Sequence, residues 1–150
     1  MVKNSSNQTL LEQIQEKLRK NGYKLTGPRQ AIINFLVHTD NHPDIDDLFS
    51  EVSKDYPGIG VATVYRTLEL LRQLNIVHTL ELPEDRQRYE INLPEDHHHH
   101  LVCTNCNRIV EFGNCNFKHL VEEIESSTRF QIHSHSTIAY GLCPHCSISN

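Results

Sequence analysis

Along the first half of the chain, apolar side chains recur every three or four residues. Leu10, Leu11, Ile14 and Leu18 share one side of a helix over about 7–21, and Gly22 is placed to end it. Thr26 is positioned to cap a second helix, with Pro28 tolerated in its first turn and Ile32, Ile33, Phe35 and Leu36 as its apolar side. Pro43 and Asp44 open a third helix carrying Ile45, Leu48, Phe49 and Val52. Gly58 and Gly60 then interrupt the chain. A fourth helix over about 61–74 places Val61, Val64, Leu68 and Leu71 on one stripe. Beyond it the pattern changes. Runs at about 76–82 and 88–91 read as strands of a hairpin turning through Pro83, Glu84, Asp85 and Arg86. A linker follows near 92–96, with Pro94 in it. Strands at about 99–103 and 109–112, a helix at about 116–127 and a strand over 130–140 complete the pattern. Helices and a hairpin, then strands with one helix, predict an α+β chain in two domains, 1–92 and 93–150.

Composition changes this picture in one respect. The 150 residues carry a formal charge of −5, which by itself argues against nucleic acid. The charge is unevenly spread: residues 1–82 hold 9 Lys and Arg against 10 Asp and Glu, and the remainder 5 against 9. The second half also holds 8 of the 11 histidines and all 5 cysteines. Carboxylate, imidazole and thiolate are the metal-ligating side chains, so the second half reads as metal-binding and the first as nearly neutral. No apolar run reaches the ~18 residues of a membrane span. The N-terminus has the pattern of an amphipathic helix rather than of a signal peptide, so a cytoplasmic protein with no membrane partner is expected.

Four cysteines form two equally spaced pairs, Cys103 with Cys106 and Cys143 with Cys146. Each pair can present two sulfurs to one metal, and together they complete the tetrahedral thiolate shell that zinc favours. Such a shell is closed, so its role is structural. Histidines 97, 98, 99 and 100 are consecutive. In an extended strand His98 and His100 share one face, and His97 and His99 share the other. Glu90 and Glu111 would add carboxylates to a mixed shell suited to iron, manganese or labile zinc. In the fourth helix Ala62, Thr63 and Arg66 fall opposite the apolar stripe, with Tyr65 on the flank. A small, a hydroxyl and a cationic residue near a helix N-terminus suit a major-groove reader of double-stranded DNA. With short helices before it and a hairpin after it, this helix fits a winged helix-turn-helix. Lys20, Lys24 and Arg29 are the candidate contacts to the DNA backbone.

These residues resemble the ferric uptake regulator (Fur) family. The pattern is carried by Leu25-Thr26-x-Pro28-Arg29, His42-Pro43, the run Gly60-Val61-Ala62-Thr63-Val64-Tyr65-Arg66-Thr67-Leu68, Arg88-Tyr89-Glu90, the four histidines before Leu101-Val102-Cys103, and Tyr140-Gly141-Leu142-Cys143. The resemblance spans roughly residues 8–146. It implies an N-terminal winged-helix DNA-binding domain hinged to a C-terminal α/β dimerisation domain. It also implies a homodimer that binds palindromic operators when a regulatory metal is loaded. It makes Cys103, Cys106, Cys143 and Cys146 structural zinc ligands, and His42, Glu90, His98, His100 and Glu111 the regulatory site. A third site would draw on His97, His99 and His135. The family's helix carboxylate there is replaced by Lys118, with His119 beside it as a substitute ligand. Glu90 at the hinge and Arg66 after Tyr65 favour an Fe(II) sensor that represses iron-uptake genes, with Zn(II) or Mn(II) as other metals of the same shell. Zinc-, manganese- and peroxide-responsive members of the family are the alternatives. Cys115 is either a plain buried thiol or a soft ligand near the third site.

Two other classes bear on the same residues. A zinc deaminase needs His-x-Glu and a proline directly before a CxxC, whereas Pro144 lies inside the second CxxC. A thiolate-closed zinc also leaves no position for water, so no enzyme activity is expected. A metal-storage protein would not need the winged helix.

Overall fold

The computed structural model describes residues 2–82, 86–92, 98–113, 117–133 and 135–148, with side chains from residue 7 onward. The chain divides into two compact units, Met1–Leu93 and Pro94–Asn150.

The first unit contains α1 (Val2–Lys20), α2 (Gly27–His38), α3 (Ile45–Asp55), α4 (Val61–Gln73), β1 (Val77–Leu82) and β2 (Arg86–Ile91). α1 begins earlier than its apolar spacing indicated. It ends where expected: Gly22 takes a φ of +79°, Tyr23 N–H bonds the Leu18 carbonyl, and Gly22 N–H bonds that of Arg19. Thr26 occupies the cap of α2, yet its hydroxyl makes no capping bond. α3 is capped better than the sequence pattern alone promised. Asp44 accepts from Asp47 N–H while the Asp47 side chain accepts from Asp44 N–H, a reciprocal capping box. α4 closes with Asn75 in the left-handed region at φ 53°, where its short polar side chain tolerates what usually needs glycine.

The core of this unit gathers Leu11, Ile14 and Leu18 of α1, Ile32, Ile33 and Leu36 of α2, Leu48 and Val52 of α3, and Val64, Leu68 and Leu71 of α4. One stripe residue departs from expectation. Val61 lies in the first turn of α4 and is exposed, while Thr67 and Leu70 complete the inward face. β1 and β2 pair antiparallel from Val77↔Ile91 to Leu82↔Arg86. Arg86 therefore belongs to the second strand and not to the turn. The expected turn residues Pro83, Glu84 and Asp85 lie outside the described residues, as does most of the expected linker, Pro94 included.

The second unit contains β3 (His99–Cys103), β4 (Ile109–Phe112), α5 (Lys118–Thr128), β5 (Ile138–Gly141) and a short α6 (Pro144–Ile148). β3 is central, antiparallel to β4 and parallel to β5. A parallel neighbour needs a crossover, which the segment carrying α5 supplies. The strand expected over 130–140 is confined to its last third, because β5 finds partners only along His100 to Cys103 of β3. α6 was not anticipated; Pro144 starts it, where a missing N–H costs nothing. Among the described residues no helix is long and apolar enough to cross a membrane.

Candidate metal centres and DNA-reading surface

The thiolate cluster follows from the sheet. β3 and β5 run parallel, so the end of β3, bearing Cys103, lies beside the end of β5, two residues before Cys143. The β3–β4 connection turns tightly, with Asn107 in the left-handed region and its N–H on the Cys103 carbonyl at 2.9 Å. That turn carries Cys106, and α6 carries Cys146. Pairs with 36 residues between them in sequence thus meet. The four Sγ atoms lie within 4.8 Å of one another, and Cys106 Sγ is 3.7 Å from Cys143 Sγ. A tetrahedron with zinc–sulfur bonds of ~2.3 Å has edges of about 3.8 Å, whereas a disulfide would bring sulfurs to about 2.05 Å. The four thiols are free and spaced for a metal.

Backbone donors prepare the thiols. The N–H groups of Cys106 and Cys143 lower the Cys103 pKa from 9.0 to about 6, with Cys143 N–H 3.3 Å from its sulfur. Cys146 N–H similarly lowers Cys143. At Cys146 the Asn105 side chain pulls down, but the Cys143 thiol, burial and the other two thiols outweigh it and raise the group to about 12. Four adjacent sulfurs cannot all ionise without a cation among them. That is the electrostatic condition a dication relieves.

In the first unit His42 and Glu90 meet. His42 Nε2 is 3.0 Å from a Glu90 carboxylate oxygen, and both side chains are largely buried, 6% and 13% exposed. Four further contacts hold this segment and the first turn of α3 against β2. Tyr89 N–H bonds the Pro43 carbonyl at 2.9 Å. Arg88 donates to the His42 carbonyl at 3.3 Å, and it ion-pairs with Asp47 at 3.0 Å and Asp44 at 3.3 Å. In the sequence Arg88 stands out only as part of the Arg88-Tyr89-Glu90 motif. Its position two residues before Glu90, hence on the same strand face, was the available signal.

In the second unit His98 and His100 lie edge to face with ring centroids 5.0 Å apart, and His100 pairs with Glu111 across β3 and β4. The alternation read from the sequence therefore places His98, His100 and Glu111 at one end of the sheet. His99 is buried, 5.4 Å from both Phe112 and His135, while His135 stacks on Phe117 at 4.3 Å. His97 and Cys115 lie outside the described residues. His119 does not join His99 and His135. It is 89% exposed on α5, beside Glu122 at 3.7 Å, and among the described residues no close group of three His, Cys, Asp or Glu ligand atoms includes it.

On α4 Ala62, Tyr65 and Arg66 are exposed and Thr63 is half-buried. Tyr65 and Arg66 share a cleft of about 630 Å³ with Arg29, Tyr23, Gln87 and Tyr89. Arg29 also donates to the Lys24 carbonyl through Nη1. Lys24 is exposed, and Lys20 pairs with Glu16 at 3.0 Å.

A helical unit ending in a two-stranded wing, with a Tyr-Arg pair exposed on its last helix, accompanies a unit built around clustered thiols and histidines. Fold and site together define a metal-responsive DNA-binding regulator. The chain belongs to the ferric uptake regulator family, whose profile matches residues 20–140. It is 32% identical over 149 residues to the ferric uptake regulation protein of Campylobacter upsaliensis, covering 98% of this chain and 95% of that one. It is also 32% identical over 136 residues to the peroxide-responsive repressor PerR of Staphylococcus saprophyticus, covering 91% and 90%. The structure of the Helicobacter pylori ferric uptake regulator superposes with a TM-score of 0.82 at 24% identity, covering 94% of this chain and 93% of that one, a likeness of fold.

Proposed function

We propose that this protein is a homodimeric, Fe(II)-dependent repressor that binds palindromic operator DNA and has no catalytic activity. A protein with that target works in the cytoplasm. The observation that carries the reading is the His42–Glu90 pair, two metal-ligand side chains held together by the DNA-binding unit itself. With His98, His100 and Glu111 they make a nitrogen and oxygen shell suited to Fe(II), and also to Mn(II) or Zn(II). Ligands drawn from both units let a metal prefer one arrangement of the winged helix, and only such differential affinity drives a switch. Zn(II) in the cysteine cluster would supply folding energy to the second unit, which has few buried apolar residues among those described. Residues 1–92 would form the DNA-binding domain and 93–150 the dimerisation domain. The dimer is supported by apolar surface left open in the second unit. Leu101 and Val110 oppose each other across β3 and β4, and both are about half exposed, as are Leu120, Tyr140 and Leu142. Arg66 and Tyr65 would read bases, with Ala62 and Thr63 permitting close approach. Arg29, Lys20 and Lys24 would contact phosphates.

The test is an operator titration by fluorescence anisotropy at buffered free Fe(II), Mn(II) and Zn(II). Wild type should bind only above a threshold of Fe(II). Glu90→Ala and His98→Ala should keep one zinc per chain yet lose metal-dependent binding. A normal metal response in both variants would place the sensing site elsewhere. A response that follows Mn(II) or Zn(II) at lower free concentration would reassign the metal.

A further inference from the structure

β2 presents Arg88 and Glu90 to the same side, since strand residues two apart share a face. On that side lies the segment His42-Pro43-Asp44, which leads into α3. Glu90 meets the His42 imidazole at 3.0 Å. Arg88 meets what surrounds that imidazole. Its guanidinium contacts the His42 carbonyl at 3.3 Å, Asp44 at 3.3 Å and Asp47 at 3.0 Å. The two carboxylates are already tied to each other's backbone as the capping box of α3. Arg88 thus bridges the strand that bears one ligand to the helix cap adjoining the other. Its side chain is 22% exposed, so water only partly screens these contacts.

The chemistry of the bridge suits positioning. All three contacts are made by one nitrogen, Nη1, which the planar guanidinium holds in a fixed direction. A lysine ammonium in its place would be a point charge on a flexible stem. Without Arg88, the 42–44 segment would still reach β2 through the Tyr89 N–H bond to the Pro43 carbonyl and through the His42–Glu90 contact itself. Neither contact ties the His42 carbonyl or the α3 cap to β2, so the imidazole would be held less firmly when a metal arrives.

We infer that Arg88 is the positioning residue of the regulatory site, fixing the His42 imidazole against Glu90 through the His42 carbonyl and the α3 capping box, so that metal affinity there depends on its guanidinium. This rests on the assignment of His42 and Glu90 as regulatory ligands. Arg88 touches no metal itself. It acts through the two ligands in the manner of outer groups around metal sites, whose loss typically weakens metal binding by about 10- to 100-fold. The link also reaches α3, the helix preceding the α4 reader, so both ligand order and helix placement pass through one side chain.

The experiment uses the full-length, zinc-loaded protein and Co(II) as an optical probe of the exchangeable site, in competition with a chelator. Arg88→Gln should weaken Co(II) binding by about 10- to 100-fold and alter its visible spectrum, with the zinc content of the cysteine cluster unchanged. Arg88→Lys should recover part of the affinity, since it retains the charge and a donor nitrogen but loses the rigid planar group that directs it. It also retains the ion pairing that favours folding, so it reports even if Arg88→Gln unfolds. Wild-type Co(II) affinity and spectrum in a folded Arg88→Gln, or in Arg88→Lys if only that folds, would overturn the inference. The parent assignment is tested separately: if His42→Ala and Glu90→Ala bind Co(II) as wild type does, the ligand assignment is wrong, whatever Arg88 does. Loss of cluster zinc in step with Co(II) would show a general structural role for Arg88 and would also overturn the inference.

Discussion

At the scale of single residues, the cysteine cluster is where local donors and long-range topology act on the same atoms. Cys103 receives N–H groups from both knuckles and is lowered to about 6 from the ordinary 9.0. A depressed folded value means that ionisation favours the folded state. The contribution is complete above the unfolded value and is lost as pH falls through about 6. Zinc needs the same thiolate. Zinc uptake by the metal-depleted protein should therefore weaken as pH falls through that value, followed by competition with a chromophoric chelator. Undiminished uptake well below it would contradict the preorganised thiolate. Cys103→Ser should remove about one zinc per chain and destabilise the dimer, because metal-binding energy here is folding energy. Zinc analysis with sedimentation velocity checks both. On the other unit, Arg66→Ala should cost operator affinity about 1–3 kcal/mol if it pairs with a base. Equal losses on operator and random DNA would instead make it a phosphate contact.

At the scale of elements, α3 and the second unit's sheet make different demands. α3 depends on its reciprocal cap, and Asp44 also faces Arg88 at 3.3 Å. Asp44→Ala should destabilise the first unit by about 0.5–2 kcal/mol for the cap alone, read by chemical denaturation. A midpoint equal to wild type would mean that Asp47 and solvent satisfy the helix end unaided. The sheet β4-β3-β5 and α5 carry the opposite signature. α5 has no buried residue among those described, although Leu120, Val121 and Ile124 recur at helical spacing. Leu101, Val110, Tyr140 and Leu142 line an open, mainly apolar cleft of about 410 Å³. Such a surface wants a partner, and on the proposed function a second copy of the chain would cover it. Val110→Glu should shift the protein towards monomer without loss of cluster zinc. A wild-type dimer in that variant would move the interface off this sheet.

At the scale of the whole molecule, coupling has a required symmetry. If Fe(II) raises operator affinity by some factor, operator DNA must raise Fe(II) affinity by the same factor. Metal titrations with and without saturating operator check this directly, and unequal factors would mean that a third equilibrium, such as dimerisation, is mixed in. The near-neutral first half also sets an expectation for salt. Its 9 Lys and Arg are balanced by 10 Asp and Glu, so phosphate contact would fall to a few placed cations. The slope of log affinity against log salt should then be modest for a dimer.

The sequence by itself determined most elements of the first unit, because amphipathic period, glycine breaks and an acidic cap are local properties with direct backbone consequences. It also determined which side chains could bind metal. Cysteine pairs and alternating histidines declare their chemistry wherever they fold. It did not determine the extent of β5, since a strand ends where its partner does and β3 offers only four residues to it. Nor did spacing decide the fate of Val61, whose helical phase is apolar but whose place in the first turn of α4 leaves it 43% exposed. His119 beside Lys118 looked like a substitute ligand by adjacency, yet a helix turns successive residues about 100° apart, and His119 is solvated. That the two cysteine pairs share one site was expected from their spacing, but the parallel pairing of β3 with β5 that brings Cys103 to Cys143, and the meeting of Arg88 with Asp44 and Asp47, were decided only by tertiary structure. Both join residues distant in sequence through strand pairing and packing, which no local pattern encodes.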